Sequence, residues 1–184
     1  SGQTTGVPAS CLRAALGSAS LIYSLVMRLR NTLYDFGWYS IHRSAVPVIS
    51  LGNVTTGGTG KTPLVALVCQ LLQESGLRPG IVSRGYGSVN GKPNDEKLVL
   101  SLLCPAVPHE QNPDRIAAIH SLTAASGIDV IVMDDGFQHR RLQRNLDILL
   151  IDATNPFGFG HLLPRGLLRE PLSSLRRADV VIIT

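Results

Sequence analysis

Val46-Pro47-Val48-Ile49-Ser50-Leu51, then Gly52-Asn53-Val54-Thr55-Thr56, then Gly57-Gly58-Thr59-Gly60-Lys61-Thr62-Pro63 is an apolar strand, a glycine-rich turn and the opening of a helix that continues to Leu72. Glycines let backbone N–H groups turn toward anionic oxygens, and the amino end of the helix adds partial positive charge. Lys61 is placed to reach β- and γ-phosphates, and the Thr62 hydroxyl to ligate Mg²⁺. The strict form of this pattern has glycine six residues before the lysine, where this chain has Thr55. A glycine-rich hairpin would explain the glycines but not a Lys-Thr pair starting a helix. Thr55, Thr56, Gly57, Gly58, Thr59, Gly60, Lys61 and Thr62 are therefore the candidate nucleotide-phosphate loop.

Around this loop strands and helices alternate. Lys61–Glu74 reads as a helix closed by Ser75-Gly76, Gly80–Ser83 as a short strand, and 88–94 as a Gly/Pro/Asn-rich loop. Asp95–Leu103 reads as a helix, and 105–109 as an extended piece. Asn112-Pro113-Asp114 caps a helix running to about Ala125. Residues 128–133, 147–152 and 179–183 are continuous apolar strands of the buried type. Such runs joined by helices predict a three-layer α/β fold of the P-loop NTPase kind, with a mostly parallel sheet covered on both faces.

The 184 residues suffice for one such domain with an N-terminal appendage. With 44% apolar and 16% charged residues the chain is a folded protein. Its net charge is +4, and before residue 50 Arg13, Arg28, Arg30 and Arg43 face only Asp35. That asymmetry suits an anionic membrane surface or an acidic substrate. Nucleic acid is not an expected partner, because no dense basic-aromatic run occurs. Cys11, Cys69 and Cys104 are widely spaced, and two of them sit in apolar helical patterns as reduced core thiols of a cytosolic protein. From Cys11 to Leu33 apolar residues recur every three or four positions, which predicts an amphipathic helix. Its longest uncharged run, 14–27, is too short and polar to span a bilayer. The helix either packs on the domain or lies in the membrane interface.

Asp134 and Asp135 end the apolar strand Ile131-Val132-Met133, where nucleotide-binding folds place a carboxylate for Mg²⁺. Gln138, His139, Arg140 and Arg141 follow and fall near the expected phosphates. Phosphoryl transfer also needs a group to orient or deprotonate the attacking hydroxyl. Asp95-Glu96 either supplies it or is an acidic helix start favoured by the dipole. Asp114 and Arg115 carry the same ambiguity. Arg169-Glu170 either faces the γ-phosphate and metal or caps the next helix.

Taken together, these residues resemble one family, the tetraacyldisaccharide 4'-kinases of lipid A biosynthesis. The resemblance rests on Arg30-Asn31-Thr32-Leu33-Tyr34-Asp35, Pro47-Val48-Ile49-Ser50, the loop from Gly52-Asn53 to Pro63, Ser83-Arg84-Gly85-Tyr86 and Asp95-Glu96. Asp114-Arg115, Asp134-Asp135-Gly136-Phe137-Gln138-His139, Leu162-Leu163-Pro164, Leu168-Arg169-Glu170-Pro171-Leu172 and Arg176-Arg177-Ala178-Asp179 complete it. Thr55 is itself a habit of the family.

The resemblance implies a kinase moving the γ-phosphate of ATP to the 4'-hydroxyl of an acylated glucosamine disaccharide 1-phosphate. It implies Lys61 on the phosphates, Thr62 and Asp134 at Mg²⁺, and Asp95 as base. Glu96, Asp135 and Glu170 would be further metal-side carboxylates, with Gln138 and Arg169 on the nucleotide and His139 as a catalytic candidate. It also implies a peripheral position on the cytoplasmic face of the bacterial inner membrane, with residues 1–44 as the interfacial helical segment and 45–184 as the kinase core. This chain departs from the family in a short 86–95 loop and in Asn94-Asp95-Glu96-Lys97, where relatives have Gly before and Pro after the acidic pair. The family's second, C-terminal domain, which supplies a histidine partner for the base, is expected to be absent from this chain. A guanine-nucleotide switch lacks its Asn-Lys-x-Asp motif here. A non-catalytic membrane-bound nucleotide binder is the remaining alternative reading.

Overall fold

A computed structural model describes residues 7–85 and 95–184. The loop expected at 88–94, and Tyr86 of the arginine-tyrosine motif, lie outside the described residues. Helix α1 (Val7–Asp35) precedes β1 (Val48–Asn53), α2 (Lys61–Glu74), β2 (Pro79–Ser83), α3 (Asp95–Leu103), β3 (His109–Gln111), α4 (Arg115–Ser126), β4 (Val130–Asp134), β5 (Leu146–Ile151) and β6 (Val180–Ile183). Short 3₁₀ turns cover Gly158–Gly160 and Leu172–Arg177.

The six strands form one sheet in the order β3-β2-β4-β1-β5-β6, and every pairing is parallel. The reason lies in the strand sequences. All five residues of β2 and of β4 are buried, so each needs cover on both faces, which a crossover helix supplies. One face packs Leu51, Ile81, Val132 and Ile148 against Val65 and Cys69 of α2 and Leu100 of α3. The other packs Val48, Val82, Ile131 and Met133 against Ala118, Ile119 and Leu122 of α4, with Leu142 closing the edge. A third cluster joins Val54, Phe137, Leu149 and Leu168 beneath the irregular segment 152–178.

The expected helices at 61–74 and 95–103 appear with those bounds. α4 begins one residue after its cap: the Asp114 carboxylate accepts from the N–H groups of Ile116 and Ala117. The extended piece expected at 105–109 instead pairs as His109–Gln111, because the register Ile81↔His109 to Ser83↔Gln111 starts only there. The helix expected after Pro171 is a 3₁₀ turn. Cys69 and Cys104 are buried free thiols, and Cys11 is exposed. Burial pushes Cys69 up to about 12, so it is inert.

α1 answers the open question about the N-terminal helix in an unexpected way, because its polar residues face the domain. Ser20 donates to the Leu162 carbonyl at 2.8 Å and Tyr23 to that of Arg169 at 2.8 Å. Arg30 and Asn31 both reach the Glu170 carboxylate, at 2.8 and 3.2 Å. Leu21, Ile22, Leu25, Val26 and Leu29 lie on the opposite side and are all exposed. The helix Ala9–Asp35 is long and apolar enough to cross a membrane by length and composition alone, although its longest uncharged run, 14–27, is shorter than a span.

β1 and β4 lie side by side at the centre of the sheet, with Leu51 opposite Asp134. The turn after β1 and the turn after β4 therefore emerge together at the carboxyl ends of the strands, the place where open α/β sheets bind ligands. Gly52 makes the approach possible. A Cβ there would lie 2.6 Å from Phe137 Cβ and 2.8 Å from its backbone nitrogen. Gly52→Ala is expected to cost about 1–3 kcal/mol, the usual range for overpacking, read as a lowered denaturation midpoint with an unchanged slope.

Candidate active site

The glycines of the loop are open to solvent. A Cβ at Gly57, Gly58 or Gly60 would meet nothing within 4 Å. Gly57 (φ 133°) and Gly60 (φ 72°) take backbone conformations that favour glycine, and Gly60 leads into α2 with no side chain bonded to the first turn. The glycines are therefore not packed by protein. The loop is tied to the segment 167–169: Thr56 N–H donates to the Leu167 carbonyl at 2.8 Å, and Arg169 N–H to the Val54 carbonyl at 2.7 Å. Thr55 and Thr59 are buried in the loop, Thr56 is exposed, and Thr62 is half-buried on the first turn of α2.

Three side chains meet at the mouth. Asp135 takes two hydrogen bonds from the Arg169 guanidinium, at 2.7 and 2.9 Å, and stands 3.9 Å from Lys61 Nζ. Burial would raise its pKa, but the hydrogen bonds and charge of Arg169, with the charge of Lys61, hold it below the ordinary value. Asp135 sits at φ 53°, a strained left-handed position for a residue other than glycine. Asn53 had no assigned role in the sequence, yet it is the hub. Its side-chain oxygen accepts from Lys61 Nζ at 3.2 Å and lies 3.5 Å from Arg169, and its carbonyl takes the Gln138 amide at 2.8 Å. Only its place two residues past Leu51, at the end of the central strand, marked it.

Asp134 is different. It is 3% exposed, and its Oδ1 has no hydrogen-bond partner. Burial, followed by the nearby charge of Glu96, pushes its carboxyl up to about 6. Glu96 is thus brought into the field of Asp134 from the start of α3, although its own side chain is exposed. Asp95, the first residue of α3, is also exposed. A buried carboxylate with one orphan oxygen and a second acid nearby fits a divalent cation, which would supply further positive charge. Among the described residues no group of three or more His, Cys, Asp and Glu is arranged to hold a metal by itself. A cation here would therefore need a hydroxyl and ligand oxygens to complete its shell.

His139 is half-buried, with Nε2 unpartnered, and burial, then Arg115, Arg141 and Arg144, hold it down at about 4. It is neutral at physiological pH. Gln138 and His139 share a cavity of roughly 260 Å³ with Arg30, Arg84, Arg115, Asp135 and Arg169. Four guanidiniums there favour an anionic ligand. Arg84 entered the sequence reading only as part of a longer motif, and Arg30 as part of a motif and of the basic N-terminal set.

Two expected neighbours stand elsewhere. Glu170 is fully buried, and both its oxygens are occupied: Oε1 by Arg30 at 2.8 Å, Oε2 by Arg177 at 2.6 Å and Asn31 at 3.2 Å. Its carboxylate joins α1 to the 3₁₀ turn and is not beside Asp134. Arg140 likewise leaves the loop for α1, pairing with Asp35 at 2.8 Å and the Asn31 carbonyl at 2.9 Å.

A carboxyl raised from 3.8 to about 6 binds a proton in the folded state that the unfolded chain has released. Stability of the ligand-free protein therefore falls as pH rises from about 4 to about 6. Two units correspond to about 3 kcal/mol, fully lost above that window. Asp134→Asn is expected to stabilise the metal-free protein by about 2–3 kcal/mol at pH 8 and not at pH 4, measured by urea denaturation.

The model of the family tetraacyldisaccharide-1-P 4'-kinase matches residues 12–184. The tetraacyldisaccharide 4'-kinase of Syntrophus aciditrophicus is 43% identical over 183 residues, covering 90% of this chain and 49% of that protein. That of Geobacter metallireducens is 43% identical over 188 residues, covering 93% and 56%. The chain thus spans about half the length of these relatives. A solved structure, an "apo" form of LpxK from Aquifex aeolicus in complex with ATP, superposes with a TM-score of 0.86 at 36% identity, covering 94% of this chain and 59% of that one. The match runs through the glycine loop, both acidic pairs and the Arg169 segment alike, and the chain belongs to the tetraacyldisaccharide-1-P 4'-kinase family.

Proposed function

We propose that this chain is the nucleotide-binding part of a kinase that transfers the γ-phosphate of ATP to the 4'-hydroxyl of an acylated glucosamine disaccharide 1-phosphate. The observation that carries the reading is the convergence of Lys61 and Arg169 on one carboxylate, Asp135, beside a glycine loop open to solvent. Two cations spent on a single acid are ready to be exchanged onto phosphate oxygens, which offer them more negative charge. The family relatives are named as kinases of this substrate, and a solved relative is in complex with ATP.

In this reading the backbone of Thr55–Thr62 cradles the phosphates, Lys61 and Arg169 hold their oxygens, and Gln138 fixes the loop through the Asn53 carbonyl. Thr62 and Asp134 would hold Mg²⁺, with Asp135 and Glu96 adjacent; when bound, the ion neutralises charge on the transferring group. Asp95 takes the proton of the 4'-hydroxyl as the new oxygen–phosphorus bond forms and the bond to the ADP oxygen breaks. His139 is neutral and offers a hydrogen bond rather than a charge. Arg84 and Arg115 line the same cavity and would face the anionic substrate. Glu170 serves as a buried anchor for α1 in place of the metal role its sequence position suggested. An assay of γ-phosphate transfer by the full-length protein tests this: Asp95→Asn is expected to cut turnover about 10²- to 10⁴-fold with Mg-ATP binding intact. Near-native turnover removes Asp95, and no Mg-ATP binding by the parent protein removes the reading.

We also propose that residues 1–44 lie on the cytoplasmic face of the inner membrane, with residues 45–184 as the core. The support is the reversed polarity of α1, polar toward the domain and leucine-rich outward, with Arg28 beside the stripe and Phe36, Trp38 and Tyr39 exposed at its end. Leu25→Ser with Leu29→Ser is expected to lower partitioning onto anionic vesicles by about a hundredfold or more, since each leucine contributes about 1.5–3 kcal/mol when buried. Flotation with vesicles measures it.

A further inference from the structure

The peptide of Arg169 is held from both sides. Its N–H donates to the Val54 carbonyl of the phosphate loop at 2.7 Å, while its carbonyl accepts the Tyr23 hydroxyl of α1 at 2.8 Å. The next side chain, Glu170, is sealed in place by Arg30 and Asn31 from the same helix. Arg169 itself points the other way, onto Asp135. No regular element spans 166–171; isolated bridges tie Leu168 to Leu162 and Thr55, and its backbone pairs with 161–163. At the next residue the peptide of Arg169 takes its bonds from Val54 on one side and from Tyr23 of α1 on the other.

We infer that α1 is a working part of the nucleotide site: Tyr23, assisted by Arg30 and Asn31 through Glu170, is a positioning residue that sets the Arg169 guanidinium at the mouth of the loop. The inference rests on the proposed role of Arg169 at the nucleotide. Three features separate it from simple docking. Tyr23 is half-buried and its phenol spends its proton on this one carbonyl rather than on solvent. Its surroundings keep it a donor, since burial raises its pKa above the ordinary value. Arg30 also lines the cavity that holds Asp135 and Arg169, so the helix reaches the site at two points. A guanidinium making two parallel hydrogen bonds tolerates little displacement, so releasing its backbone loosens the contact it makes.

The consequence is a linkage. Whatever holds α1 against the domain favours the nucleotide, and nucleotide favours the docked helix by the same factor.

The test is a double-mutant cycle on the full-length protein, read as affinity for a non-hydrolysable ATP analogue with Mg²⁺ by calorimetry. Tyr23→Phe keeps the ring and removes one hydrogen bond, and is expected to weaken binding about three- to tenfold. In an Arg169→Ala background the same substitution is expected to change nothing, because the residue it acts through is gone. Equal losses in both backgrounds, or none in the native background, overturn the inference. If Arg169→Ala alone leaves affinity intact, the proposed role of Arg169 fails first and takes the inference with it.

Discussion

A carboxylate with no solvent exposure must find its counter-charges inside the protein, and Glu170 finds them on two different elements. Removing one partner from such a pair typically costs about 3–5 kcal/mol, because the other charge is then left buried alone. Much of the architecture follows from that demand. α1 turns Arg30 and Asn31 inward, so its leucines have nowhere to go but out. Arg177, bridging Glu170, lies 4.4 Å above the Phe137 ring and closes the third core cluster. Phe137 in turn presses against Gly52, and the two central turns are locked together. One buried acid thus relates the outer surface of the helix to the spacing of the two central turns.

The site lies at the other electrostatic extreme. Around Glu170 every oxygen is satisfied, whereas Asp134 is buried with an orphan oxygen and Asp135 carries more positive charge than it needs. Such local imbalance is unfavourable for the empty protein and useful only if something else enters. The contrast between a satisfied acid and an unsatisfied one separates the two regions more sharply than residue type does.

Much of this was legible in the residues. The glycine loop, the strand ending in Asp134-Asp135 and the helix at 95–103 are local patterns, and local patterns survive folding. Glu170 was not legible in the same way. Next to Arg169 it reads as part of one functional pair, but the chain bends at these two residues, and one side chain reaches Asp135 while the other reaches α1. Asn53 was hidden for a related reason: its importance comes from partners 8, 85 and 116 positions away. The orientation of α1 is equally non-local. Its periodicity marks an apolar face but cannot say whether that face meets the core or the surroundings; the polar partners on 162–174 decide it.

Gly60 precedes α2 without a side chain to accept from its first N–H groups. Most helices satisfy those donors with Ser, Thr, Asp or Asn, and the omission leaves them idle. In the proposed complex the phosphates become the missing cap. Binding is then also the completion of a helix: the ligand would stand where other helices have a capping side chain, a structural part the sequence leaves out.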